Sequence, residues 1–309
     1  MKLLGDADLD RLVPMKDAIR IVENAFRAKA KGELVAPPRH LVTFAHGHLA
    51  FTVGGQDVDR GPIGFRVYSQ FEGETTGETQ VTVVFDSRTG EILGGISGDR
   101  LGILRTGAIG GVALKHLARP ASHRLGVLGS GAQAWAQVEA AVAQLPLQQV
   151  RVYSPNRAHR AKFAQRVSST FGVDTAPLNS PQSVVDASDV VISSTTSSAP
   201  VIQAAWIRPG VHVTSMGPKT RSSHEIDTDL GLAADLIATD SPAQLRAYPE
   251  PHILDGSPAW SRIADLAEIV AGRVPGRADS SQISLFLSTG LAGTEVLVAA
   301  EALRRARSS

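Results

Sequence analysis

Gly129-Ser-Gly-Ala-Gln133 is the stretch of this chain whose residue types and spacing most directly suggest chemistry. It follows the apolar run Leu125-Gly-Val-Leu128 and opens a helical stretch from Ala132 to Gln144. In that setting Gly129 permits a tight turn. Gly131 lets the backbone approach a pyrophosphate seated on the helix N-terminus, and Ala134 is the small third residue that helix–strand packing needs. Ala132 and Gln133 belong to the same loop. The pattern predicts a dinucleotide site. A glycine-rich turn without a ligand is the alternative, and the strand–helix rhythm downstream favours the dinucleotide.

The second strand of that rhythm ends at Tyr153-Ser-Pro-Asn-Arg157. An NAD site usually carries Asp or Glu here for the ribose hydroxyls. None stands between Val150 and Lys162, where the chain has Asn156, Arg157 and Arg160 instead. A carboxylate would repel a 2′-phosphate, whereas a guanidinium pairs with it. NADP is therefore expected, with NAD possible. Thr195 and Thr196 follow a later strand, Val190-Val-Ile-Ser193, where the loops of such sheets face the nucleotide.

The elements that must position these residues fall into two regimes. Pro37 to Val84 holds short apolar runs broken by Gly, Pro and Thr, which predicts several antiparallel strands, and Asp86-Ser-Arg-Thr-Gly90 reads as a hairpin turn into Glu91-Ile-Leu-Gly-Gly-Ile96. Helical spacing precedes this region over Asp10 to Lys31, with Gly32 as the stop, and follows it over Gly107 to Leu117. From Arg124 strands alternate with helices: Leu125–Leu128, Val150–Tyr153, Val190–Ser193, Val211–Thr214 and Leu236–Thr239. That alternation implies a parallel sheet covered on both faces. A last helix, Gly290 to Arg307, is expected to return to the first part. The fold class is α/β: a Rossmann-type parallel-sheet domain plus an α+β domain.

Bulk composition narrows the functional classes. The 309 residues exceed what one hydrophobic core usually organises. A net charge of +1 offers no basic field for nucleic acid or anionic lipid. The absence of cysteine excludes disulfides, thiolate nucleophiles and Cys-ligated zinc. His46-Gly-His48 puts two rings on one strand face, but the sequence points to no further ligands, so no metal is expected. No apolar run is long enough to span a membrane, and no signal-peptide pattern opens the chain, so a cytoplasmic location is expected.

Arg105-Thr-Gly-Ala-Ile-Gly110, then Leu117-Ala-Arg-Pro120, then Gly129-Ser-Gly-Ala-Gln133, resembles the ornithine cyclodeaminase/μ-crystallin family over nearly the whole chain. Ser288-Thr-Gly-Leu-Ala292 fits the same pattern. The resemblance implies a homodimer. Residues 1–117 plus 290–309 would form the substrate-binding and dimerisation domain, and 118–289 the dinucleotide-binding domain. It also implies chemistry through an imine at an amino-acid α-carbon, with a small amino acid or imine as ligand. By the same resemblance Arg39 and Arg105 would flank the substrate carboxylate, a suitable partner for a bidentate guanidinium. Thr82 would lie near cofactor and substrate, Thr106 and Gln133 in the cofactor loop, and Ser288 near the nicotinamide.

Two departures from the family pattern shape the functional expectation. Arg66 stands where the family usually has Lys, which keeps the charge but resists giving up a proton. In Ser215-Met-Gly-Pro-Lys219, Lys219 replaces an Asp of the true cyclodeaminases, and of the segment that follows only Glu225 persists. A Lys there would repel the ornithine ammonium. The expected activity is an NAD(P)-dependent reduction of a small or cyclic imine, or the reverse amino-acid dehydrogenation. Arg39, Arg66 and Arg105 would face one cleft and hold the carboxylate, and Lys219 would donate a proton or bind a second carboxylate. Ornithine cyclodeamination with bound NAD is the alternative, and a non-catalytic NADP-binding protein a further one.

Overall fold

The computed structural model describes residues 2–71, 73 and 79–308. The chain divides into two compact units, Met1–Ala108 with Gly290–Ser309, and Ile109–Thr289. The helix Arg100–Leu117 runs across that division.

In the first unit a seven-stranded sheet holds β1 (Leu3–Leu4), β2 (Leu34–Val35), β3 (His40–Phe44), β4 (Gly47–Gln56), β5 (Pro62–Phe71), β6 (Gln80–Asp86) and β7 (Ile92–Ser97). The order is β1-β7-β6-β5-β4-β2, with β3 also on β4. The β6–β7 hairpin turns on Asp86, whose carboxylate accepts from the Arg88 and Thr89 amides. The helical stretch expected over Asp10 to Lys31 is two helices, Asp6–Leu12 and Met15–Lys31. Pro14 divides them at an extended ψ of 154°, because its ring cannot continue a helix. Gly32 then stops the second in the left-handed region, at φ 78°. Helix Thr294–Ser308 packs on helix Met15–Lys31 and lies across β4 to β7.

Strand alternation decides what that helix covers. Ala50, Thr52, Arg66, Thr82 and Val84 are buried on the inner face. Register pairs Thr52 with Arg66 and Arg66 with Thr82, so three polar side chains form one row across β4, β5 and β6. Leu49, Phe51, Val53, Ile63, Phe65, Val67, Val81, Val83 and Phe85 alternate onto the outer face.

The second unit is built on β8 (Arg124–Leu128), β9 (Gln149–Tyr153), β10 (Asp174–Pro177), β11 (Val190–Ser193), β12 (His212–Ser215), β13 (Leu236–Thr239), β14 (Ile263–Asp265) and β15 (Ser284–Leu287). All pairs are parallel, in the order β10-β9-β8-β11-β12-β15-β13-β14. The strand order reverses between β8 and β11, and such a switch point opens a crevice at the carboxyl ends of the strands. Two apolar layers fill the faces, one under helices Ala132–Gln144 and Arg157–Phe171, the other around Ile202, Leu230 and Leu254. Trp206 is partly buried against the second layer. Among the described residues no helix is long and apolar enough to cross a membrane.

Candidate active site

The first unit gathers cations in its interior. Arg66 is buried on β5, with Nε donating to Gln80 Oε1 at 3.0 Å, Nη2 bonded to the same oxygen, and the guanidinium 4.5 Å from the Tyr68 ring centre. Arg39 Nη1 donates to the Tyr68 hydroxyl at 3.0 Å. Arg105 is buried in helix Arg100–Leu117, where its Nε and Nη1 meet no hydrogen-bond acceptor. A β-carbon at Gly290 would stand 2.9 Å from Arg105 Nη1 and 3.2 Å from Arg39 Nη2, so these two guanidiniums meet at one point. At Gly102, one turn before Arg105, a β-carbon would stand 2.5 Å from Arg66 Nη2. The buried Arg66 and Arg105 and the half-buried Arg39 therefore lie close together.

Their electrostatics follow from that crowding. Burial, then Arg105 close by, push Arg66 down to about 10. Glu295, at the start of helix Thr294–Ser308, is the carboxylate facing them, with Oε2 4.0 Å from Arg105 Nε. Burial alone would raise its pKa. The Arg105 and Arg66 guanidiniums, with the Thr52 hydroxyl, reverse this and hold it below the ordinary carboxylate range. Among the described residues Glu295 is the carboxylate set against the buried Arg66 and Arg105. The open donors of Arg105 suit an anion of carboxylate size. Thr82 is buried in the same row, and Thr106 is half-buried next to Arg105 in the helix.

In the second unit the candidate residues stand where the sheet's carboxyl ends open. Gly129 has φ +119°, and a β-carbon there would lie 2.2 Å from the Ser194 carbonyl oxygen. At Gly131, the N-cap of helix Ala132–Gln144, nothing lies within 4 Å of a β-carbon's position. Gln133 Oε1 is buried without a hydrogen-bond partner. An open cradle, a helix start without side-chain capping and an unfilled polar atom fit a phosphate-bearing ligand.

Two of the residues expected at the second-strand position are used within the unit. Asn156 Oδ1 caps helix Arg157–Phe171 by accepting from the His159 amide at 3.0 Å. Arg160 is buried. It donates to Ser154 O at 3.0 Å and Asn179 Oδ1 at 2.8 Å, and its guanidinium lies 5.4 Å from the Tyr153 ring centre. Arg157 is exposed in the first helical turn. Thr195 is half-buried and Thr196 exposed after β11, and Ser288 is buried after β15, its amide bonded to Ser215 O at 3.0 Å.

Glu225 organises the loops after β11 and β12. Fully buried, it accepts from Ser193 Oγ at 2.7 Å, the Thr195 amide at 2.6 Å, Ser215 Oγ at 3.1 Å and the Gly217 amide at 2.6 Å. Lys219 is buried on the second of these loops, and its Nζ donates to Gly217 O at 2.5 Å. The Ile253 amide donates to Lys219 O at 2.7 Å, which brings in His252. His252 Nδ1 accepts from the Leu254 amide at 3.0 Å, leaving its proton on Nε2, which meets no partner. Burial and the Lys219 ammonium push its pKa down to about 3, so the ring is neutral at physiological pH.

Tyr68, Gln80, Glu295 and His252 were not among the residues anticipated from sequence. Strand alternation carried a signal for Tyr68, two residues after Arg66 on the same face, and for Gln80, its register partner on β6. Glu295 and His252 reach their sites from distant segments.

The fold and the glycine loop together define a two-unit chain with a dinucleotide-type parallel sheet. More narrowly, the chain belongs to the ornithine cyclodeaminase/mu-crystallin family, whose pattern matches residues 2–309. The Δ1-pyrroline-2-carboxylate reductase of Thermococcus litoralis, solved with NADH and L-proline, superposes with a TM-score of 0.91. It is 30% identical and covers 100% of this chain and 98% of its own. An archaeal alanine dehydrogenase dimer with bound NAD superposes at 0.89, with 27% identity over 99% of this chain and 96% of its own. The ketimine reductase mu-crystallin of Mus musculus is 30% identical over 219 residues, 71% of this chain and 66% of its own.

Proposed function

We propose that the protein is an NAD(P)-dependent oxidoreductase that interconverts a small α-imino acid and the corresponding amino acid, with a cyclic imine carboxylate as the characteristic substrate. The observation that carries this reading is the cluster of Arg39, Arg66 and Arg105. It brings three guanidiniums together and leaves buried, unfilled donors on Arg105. Among the relatives, the Δ1-pyrroline-2-carboxylate reductase is named for a substrate that carries such a carboxylate.

In this reading Arg105 and Arg39 clamp the carboxylate, Arg66 supplies the field behind it, and Thr82 lines the same row. Gly129, Gly131, Ala132 and Gln133 cradle the pyrophosphate, with Thr106, Thr195, Thr196 and Ser288 as further nucleotide contacts. The cofactor, when bound, supplies or accepts hydride at the imine carbon. Lys219 gives the second unit a buried cation that suits proton delivery to the nascent amine. A second substrate carboxylate is the other partner it would take. Comparing turnover of mono- and dicarboxylic imines separates the two. With Arg157 exposed after β9 and no acidic residue beside it, the preferred cofactor is NADP(H).

The test is oxidation of NADPH and NADH with pyrroline-2-carboxylate, piperideine-2-carboxylate, or pyruvate plus amines. Turnover with any of these supports the reading, and inactivity with all of them removes it. Conversion of ornithine to proline and ammonia without NADH accumulation would establish the cyclodeaminase instead. The assembly proposed is a homodimer. Its support is the outer face of the first unit's sheet, apolar on β4, β5 and β6, where an antiparallel sheet ordinarily presents polar residues to water. Sedimentation of the wild type as a monomer would contradict it.

A further inference from the structure

We propose that Glu295 is a built-in counter-anion of the guanidinium cluster: it offsets the buried charges of Arg66 and Arg105 in the unliganded protein and limits how tightly the site grips a carboxylate. The proposal rests on the carboxylate-receptor reading of Arg39, Arg66 and Arg105 and assigns a role to a residue outside that set.

Toward Arg105 the geometry favours charge balance over hydrogen bonding, while Glu295 Oε2 accepts from Thr294 Oγ1 at 3.3 Å. Glu295 is 1% exposed, and its Oε2 stands 4.0 Å from Arg105 Nε, beyond hydrogen-bond reach. Arg105 Nε and Nη1 stay open, and Glu295 Oε1 has no hydrogen-bond partner. The carboxylate thus offsets cationic charge without occupying the donors that would receive a ligand. It enters from helix Thr294–Ser308, which lies across the strands of the row Thr52–Arg66–Thr82, and faces Arg105 at 4.0 Å. A fixed anion there competes electrostatically with any carboxylate that binds Arg105, which favours release. It also supports the charge on Arg66; among the described residues Tyr68 supports that charge as well, while Arg105 and Arg39 oppose it.

This separates Glu295 from a merely structural buried carboxylate. In Glu295→Gln the shape is kept and the charge is lost. At neutral pH the substrate carboxylate should then bind more tightly, by roughly tenfold, because a repelling charge a few ångströms away in a low-dielectric interior has gone. Arg66 loses its supporting anion, so the fall in carboxylate affinity with rising pH should begin at lower pH than in the wild type. The unliganded variant should melt at lower temperature and gain more from ligand than the wild type does.

The experiment is titration of L-proline into the full-length protein saturated with reduced cofactor, where no turnover occurs, from pH 7 to pH 10.5. Wild type, Glu295→Gln and Glu295→Asp are compared. Failure of the wild type to bind proline or pyrroline-2-carboxylate would count against the receptor reading itself. If the wild type binds, tighter binding by Glu295→Gln with an alkaline limb moved to lower pH supports the counter-anion, as does a wild-type-like limb in Glu295→Asp. Weaker or unchanged binding by Glu295→Gln, or an unmoved limb, overturns it. Should Glu295→Gln not fold, the charge-compensated pair Glu295→Gln with Arg105→Gln decides. Recovery of a folded protein supports charge balance, and continued misfolding shows a packing role and overturns the proposal.

Discussion

The two units build their candidate sites from different materials. In the first, charged side chains are carried into the interior of an antiparallel sheet, and Arg105 keeps two buried donors unfilled. In the second, backbone does the work: a glycine loop, a helix start, and strand-end loops tied by Glu225. A side-chain site should fail by degrees, because neighbouring cations share the load. A backbone site should fail abruptly, because its atoms have nowhere to move.

The largest effect should therefore come from Gly129→Ala. Its β-carbon would meet the Ser194 carbonyl oxygen at 2.2 Å, and φ +119° is unfavourable for any L side chain. Loss of cofactor binding by more than about a hundredfold is expected in equilibrium titration, or loss of folded protein. Near-normal nucleotide affinity would mean that the loop does not carry the pyrophosphate. Arg105→Gln is the matching test in the first unit. It should lower kcat/KM for an imine carboxylate by about 10²–10³, mainly through KM, while NADPH affinity holds, since only a charge-assisted carboxylate contact is removed. Equal losses in both affinities would show that the two sites are not separable in this way.

Between these lies Glu225→Gln. The carboxylate accepts four hydrogen bonds in complete burial, two of them from backbone amides that hold adjoining loops. An amide group turns one acceptor into a donor facing a donor. A loss of about 2–3 kcal/mol in denaturant unfolding is expected, with weaker cofactor binding following from it. Unchanged stability would remove the view that this residue braces the strand-end loops.

The same contrast explains what could be read from sequence. The glycine loop was legible because strand, turn and helix are consecutive, and each glycine answers a local demand. The strands β8, β9, β11, β12 and β13 were legible as apolar runs alternating with helices, whereas β10 (Asp174–Pro177) and β14 (Ile263–Asp265) carry few apolar residues, and β15 was not anticipated. Helix Arg100–Leu117 was expected only from Gly107, because its first amide is capped by Asp6 from the far end of the unit. The guanidinium set came from a family resemblance, and its surroundings did not. Tyr68 and Gln80 join it through sheet register, and Glu295 through a helix more than two hundred residues downstream of β5. Pro14, by contrast, was missed although local: the helical spacing was read straight through it from Asp10 to Lys31, and the proline rule alone would have given the break.

The smallest expected effect concerns the cofactor's 2′-position and separates two arginines three residues apart. Arg160 is spent on Ser154 O and Asn179 Oδ1 and stacks near Tyr153, so it braces the loop after β9. Arg157 is exposed in the first turn of the following helix, where the amino end and its own charge both favour a phosphate. Arg157→Ala should thus reduce the preference for NADPH over NADH by about tenfold, the equivalent of one charge-assisted contact, and leave thermal stability unchanged. Arg160→Ala should lower the melting temperature and weaken both cofactors alike. If Arg160→Ala shifts the NADPH-to-NADH ratio and Arg157→Ala does not, the buried guanidinium must leave its internal partners to reach the phosphate, and the division of labour between the two is the reverse of the one drawn from their contacts.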